Sequence, residues 1–147
     1  MAEPKGKRLV IVNRKEVSWQ NRVKTLNEQI NQLLTAKEFW WKDMNRLLWK
    51  NIPRTPGVYI IIEERHCIYV GQSKSLRERL RMHGRGNPGG DTFHKKLHRI
   101  RHIEEKKDRI KFVKDRCFFK FLEVKKGKGL YNLEHFTIAV LGPELND

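Results

Sequence analysis

Two cysteines are too few, and too far apart, to organise this chain of 147 residues. Cys67 and Cys117 form no CxxC pair, which excludes a disulfide framework, a zinc knuckle and a dithiol redox motif; both fall in strand-like apolar runs and read as buried free thiols. No apolar run reaches the roughly 18–20 residues that a membrane span requires, and Met1–Arg8 lacks the hydrophobic segment of a secretory signal. The expectation is a cytoplasmic location and no membrane partner. Internal repeats and low-complexity tracts are absent as well. Acid is scarce: 17 Asp and Glu stand against 32 Lys and Arg, for a formal net charge of +15 and a pI of about 10.1. Such a balance points to a polyanionic partner, nucleic acid first, because clustered cations gain affinity by releasing phosphate counterions. Charge alone names no reaction, since ribosomal, DNA-packing and membrane-surface proteins share it.

The length suits one domain with a short extension. After a basic, flexible start, Ser18–Leu34 places Trp19, Val23, Leu26, Ile30 and Leu33 on one helical stripe. Thr35-Ala36-Lys37-Glu38 matches a capping box that opens a second helix carrying Trp40, Trp41, Met44, Leu47 and Leu48. The two form a helical hairpin, ended by Pro53 and Pro56, so the expected division is a basic helical extension over residues 1–52 and a second unit over 53–147.

From Gly57 the period becomes two, with Val58, Ile60 and Ile62 on one side and Tyr59 and Ile61 on the other. A three-residue turn, Glu63-Glu64-Arg65, leads into a second strand, Cys67–Val70. Ser75-Leu76-Arg77-Glu78 is a capping box for a helix to about His83, followed by the glycine-rich loop Gly84–Gly90. Asp91 caps a basic helix reaching about Lys107. Strands around Ile110–Val113 and Cys117–Val124 and a helix over Leu130–Leu141 complete the pattern. The fold class expected is α+β, a small antiparallel sheet of about three strands flanked by helices.

Gly57-Val58-Tyr59 and Tyr69-Val70-Gly71 resemble the two halves of the GIY-YIG nuclease signature. The resemblance extends through spacing: Tyr69 lies ten residues after Tyr59, Arg79 ten beyond that, and Asn146 twelve after Glu134, with Pro143-Glu144-Leu145 between them. It covers Gly57–Asn146 and leaves Met1–Ile52 without a counterpart. It implies a metal-dependent endonuclease hydrolysing phosphodiester bonds in DNA, with magnesium as the ion (manganese as the substitute) and RNA as the lesser substrate. Restriction-type relatives, which add helical extensions and cut as dimers, are the nearest in organisation, and a homodimer is the corresponding expectation. A repair or phage nuclease, or a binding module that kept the fold, are the alternatives.

The resemblance also implies roles. Glu134 holds the metal; Arg79 sets a planar charge against the transition-state oxygens; Tyr59 contacts or deprotonates the attacking water with Tyr69 as its partner; Gly57, Gly71 and Asn146 are structural. His83 stands where one branch of the family carries histidine and another tyrosine, and Gln72 replaces the lysine of several relatives, removing a charge that would favour a Tyr59 phenolate.

The residues support part of this by themselves. Tyr59 opposite Tyr69 would project both phenols from one face. At about 100° per residue, Arg79 and His83 lie beside Leu76 and Leu80 on the core side of their helix, whereas Arg77 and Arg81 point away. Glu134 shares a stripe with Leu130, Ile138 and Leu141, where an ionised carboxylate needs a compensating cation or a shifted pKa. Gln72, Lys74, Arg77, Arg81, Arg85, Lys95, Lys96 and Arg99 form the expected nucleic-acid surface. His94, His98 and His102 recur every four residues but lack a completing ligand, so they read as part of that surface and not as a zinc site. Four tryptophans in the extension exceed what its own surface buries, so it docks on the second unit or on another subunit.

Overall fold

The computed structural model describes residues 18–86 and 90–147; the basic start and the centre of the glycine-rich loop lie outside them. The first described element is α1 (Trp19–Leu34), capped by the Ser18 side chain, which accepts a hydrogen bond from the Asn21 amide. Ile30 and Leu33 are buried, while Trp19 and Val23 at the other end of the stripe remain exposed.

The expected second helix is not there. Thr35 ends α1, its hydroxyl donating back to Asn31, and Phe39–Trp40 form a short strand, β1. A single 3-10 turn, Trp41–Asp43, and a four-residue helix, α2 (Arg46–Trp49), follow. Tertiary pairing overrides the helical period because the aromatics find rings on β4 (Cys117–Glu123): Phe39 stacks on Phe119 with centroids 5.4 Å apart, and Trp40 lies 4.8 Å from Phe118. The Trp41 indole donates to the Leu80 carbonyl at 3.0 Å. Trp49 stacks on Phe119 with centroids 6.0 Å apart, so three of the four tryptophans are occupied within the chain.

The sheet has four antiparallel strands in the order β1-β4-β2-β3, with β2 spanning Gly57–Glu63 and β3 spanning His66–Ser73. The central strand β2 is apolar on both faces because both are covered. Val58, Ile60 and Val70 pack with Leu33 of α1 and with Leu130 and Leu133 of α6 (Lys128–Leu141). Tyr59, Ile61, Tyr69 and Phe119 face α3 (Leu76–Arg85), α4 (Thr92–Arg101) and α5 (Lys106–Arg116). Ile110–Val113 belongs to α5 and is not a strand; its apolar residues satisfy one helical turn as well as a short strand, and Val113 turns to the core. The basic helix after Asp91 stops at His102, whose φ of 57° closes α4 well before Lys107.

The hairpin differs from expectation by two residues of register. Its turn is Glu64-Arg65, two residues long, with Glu64 at a φ of 56°. Such a turn alone would set Tyr59 opposite Val70 and send Tyr69 to the other face. A bulge corrects the phase: Ile61 pairs with Tyr69 and Ile62 with Cys67, leaving Ile68 as the extra residue. Tyr59 then lies opposite Gly71, and both phenols share a face.

Candidate active site

Tyr59 is 1% exposed, and Gly71 across the strand pair is what admits its ring: a Cβ at Gly71 would collide with the Tyr59 hydroxyl. Gly57 is equally confined, between the Leu122 carbonyl and the Leu76 side chain. Gly71→Ala is therefore expected to destabilise the chain by about 1–3 kcal/mol and to displace the Tyr59 hydroxyl, read as a lower thermal midpoint together with lost activity.

The Tyr59 hydroxyl lies 2.6 Å from His83 Nε2, and His83 Nδ1 lies 2.9 and 3.0 Å from the two Asp91 oxygens. Burial would raise the Asp91 carboxyl, but the hydrogen bond and charge of His83, with the amide of His94, hold it below the usual carboxylate range. An ionised Asp91 makes Nδ1 the donor and leaves Nε2 facing the Tyr59 hydroxyl. Asp91 has a second task, since one of its oxygens accepts from the His94 amide at 3.1 Å and caps α4. Sequence reasoning found only this capping role. His94 is buried, with Nε2 donating to the His83 carbonyl at 2.6 Å. It is no surface ligand, and the left-handed His102 breaks the expected histidine face.

Burial is the main reason the Tyr59 phenol rises well above 10; Tyr69, Asp91 and Glu134 add to it, and Arg79 opposes it without prevailing. Tyr59 therefore keeps its proton, and its hydroxyl is already engaged. Tyr69, 6.4 Å from Tyr59 between ring centroids, is 9% exposed, and its phenol is pushed up to about 12, again mainly by burial. Phe93 packs against both Tyr69 and His83.

Beside this cluster opens a cavity of about 800 Å³, lined by Gln72, Lys74 and Arg85 from the expected surface, and by Arg79, Ser75, Glu78, Lys106 and Tyr131. Ser75 makes no capping bond, because the Thr55 and Pro53 carbonyls take the Leu76 and Arg77 amides at the start of α3. Arg79 is half-buried in the cavity wall. Arg77 is occupied elsewhere: its guanidinium donates to the carbonyls of Ile52 at 2.7 Å and Lys50 at 3.2 Å, so it ties α3 to the preceding loop and does not point to a phosphate. Arg81 lies over the Trp49 ring, 5.9 Å from its centroid. Lys95 and Arg99 are exposed on α4 away from the cavity, and Lys96 donates to the Asp147 carbonyl.

Glu134 sits on α6, which packs on the opposite face of the sheet, but β3 is the edge strand along which α6 lies. From there its charge reaches both Tyr59 and Tyr69. Its own carboxyl is half-buried and raised, chiefly by desolvation, with His135 opposing, and no ion pair joins it among the described residues. Nor do those residues include any group of three or more His, Cys, Asp or Glu placed to hold a metal. Asn146 clamps the last turn to β3: its side-chain oxygen accepts from the Val70 amide at 2.7 Å and its nitrogen donates to the Val70 carbonyl at 2.8 Å.

No helix among the described residues is long and apolar enough to cross a membrane. No curated protein matches the chain. Among solved structures, the GIY-YIG N-terminal endonuclease domain of UvrC from Thermotoga maritima, bound to its catalytic magnesium, is 27% identical; it covers 71% of this chain and 100% of its own, at a TM-score of 0.47. A tyrosine-to-phenylalanine point mutant of that domain, bound to its catalytic divalent cation, is 26% identical with the same coverage and TM-score. The GIY-YIG catalytic domain matches residues 55–140, more than half of the sequence. The chain therefore belongs to the GIY-YIG family and is a nuclease.

Proposed function

We propose that the chain is a magnesium-dependent endonuclease that cuts DNA, with manganese able to substitute. What supports this reading is the match of the GIY-YIG catalytic domain to residues 55–140, with Arg79 half-buried in the wall of a cavity that Lys74, Arg85 and Lys106 also line. A half-buried carboxylate that joins no ion pair among the described residues fits a hard divalent ion that takes one protein oxygen and completes its shell from water and phosphate. When bound, that ion supplies charge neutralisation at the scissile phosphate.

The chain's own residues do the rest. Arg79 presents its planar fork to the phosphate oxygens where charge grows. Tyr69, the more exposed phenol, orients the attacking water by hydrogen bonding. Tyr59, His83 and Asp91 form a buried line behind it: the carboxylate holds Nδ1–H, which aims Nε2 at the Tyr59 hydroxyl and keeps that ring in place against Tyr69. Asp91→Asn removes the charge that holds Nδ1–H, and a cleavage rate lowered about 10–100-fold with unchanged duplex affinity is expected in single-turnover assays.

Incubation of the protein with supercoiled plasmid and magnesium tests the main reading, which is lost if the plasmid is bound but never nicked. Restriction-type cutting of both strands requires two active sites, which a homodimer supplies. Sequencing the product ends decides it: defined ends support site-specific cutting, and scattered ends favour a repair or phage type of nuclease.

A further inference from the structure

A second groove of about 500 Å³ lies on the other flank of α3, lined by Arg46, Lys50, Arg54, Arg77 and Arg81 around Trp49, and no carboxylate lines it among the described residues. Arg77 is committed to backbone carbonyls, and the Arg81 guanidinium is propped on Trp49. Arg46, Lys50 and Arg54 are exposed, and among the described residues the one ion pair any of them makes is that of Arg54 with Glu78, 3.9 Å away on the rim of the main cavity. Between the two openings is a smaller depression of about 200 Å³ that shares Arg85 with the main cavity and Arg81 with this groove, and adds Lys114. The three make one basic track around the C-terminal end of α3.

We infer that this groove binds the phosphate backbone of the nucleic acid at a point removed from the cleaved bond, so that α3 lies against the substrate between two backbone contacts. The inference rests on the nuclease reading and adds to it a second contact, built from residues 45–54 ahead of the matched family segment. Charge complementarity selects the partner: cations held along a groove suit a regular line of phosphates. A helix is about 10 Å across and duplex phosphates advance about 3.4 Å per base pair, so the contact falls about three base pairs from the scissile phosphate.

The test uses the full chain and a fluorescently labelled DNA duplex, with affinity followed by anisotropy across a salt series. The triple variant Arg46→Gln, Lys50→Gln, Arg54→Gln is compared with Lys24→Gln, Lys107→Gln, Lys111→Gln, which removes the same net charge from exposed sites outside the groove. The groove variant is expected to flatten the log–log salt slope by about 2–3, at about 0.9 per lost phosphate contact. It should keep the wild-type cleavage rate at saturating protein and the wild-type thermal midpoint, and the control variant should keep the slope. Shortening the flanking duplex to within a few base pairs of the cut should weaken the wild type but not the groove variant. An unchanged slope, or an equal change in both variants, overturns the inference. Wild-type binding without cleavage would sink the nuclease reading while leaving the groove to be judged by the slope.

Discussion

Glu134→Ala is expected to lower the cleavage rate by about three orders of magnitude or more while leaving DNA affinity within a few-fold of wild type. The carboxylate is the one acid on α6, and no group of three or more His, Cys, Asp or Glu among the described residues stands in for it as a metal site. Glu134→Gln sharpens the experiment by separating function from folding. Because burial raises the folded-state pKa of this carboxyl, the folded chain takes up the proton more readily than the unfolded chain. Ionised Glu134 therefore costs the metal-free protein stability at neutral pH, a cost that disappears as pH falls through the raised pKa. The glutamine variant should be inactive yet have a metal-free thermal midpoint at or above that of wild type, with the difference fading on acidification. Magnesium should raise the midpoint of wild type and not of the variant. Retained cleavage in Glu134→Gln would remove the metal-holding role.

Arg79→Ala should likewise reduce cleavage about 10³-fold, the scale of losing a fixed positive charge aimed at transition-state oxygens. Arg79→Lys should recover only part, because an ammonium restores charge without the bidentate fork. The neighbouring arginine supplies the contrast. Arg77 holds the Lys50 and Ile52 carbonyls, so Arg77→Ala is expected to lower stability by about 1–3 kcal/mol and to loosen the loop beside the second groove, with a cleavage rate at saturation near wild type. Single-turnover rates for the two alanine variants decide the matter: equal catalytic losses would mean that the α3 faces have been misread.

Much of this was visible in the order of residues. A helix repeats every 3.6 residues, so the separation of Arg79 from Arg77 and Arg81 follows from spacing alone, as does the inward side of His83. The family resemblance likewise rested on intervals that a strand, a helix and a terminal turn preserve. The segment 37–50 was misread for the same reason it was legible: Trp40, Trp41, Met44, Leu47 and Leu48 have a helical period, but the rings of Phe118 and Phe119, distant in sequence, offered a better partner than a second helix did. Ile110–Val113 was ambiguous because Ile110, Phe112 and Val113 are three apolar residues that fit either period.

The sequence by itself determined the charge, the α+β fold class and the GIY-YIG resemblance, the last through the intervals that separate Tyr59, Tyr69, Arg79, Glu134 and Asn146 along the chain. Three matters were decided only by the tertiary structure: the bulge at Ile68 that returns both phenols to one face, the carboxylate of Asp91 behind His83, and the engagement of Arg77 with carbonyls instead of phosphate. In each of these a hydrogen bond links residues whose separation has no fixed period, and such contacts form only when the packed core sets how closely two backbones approach.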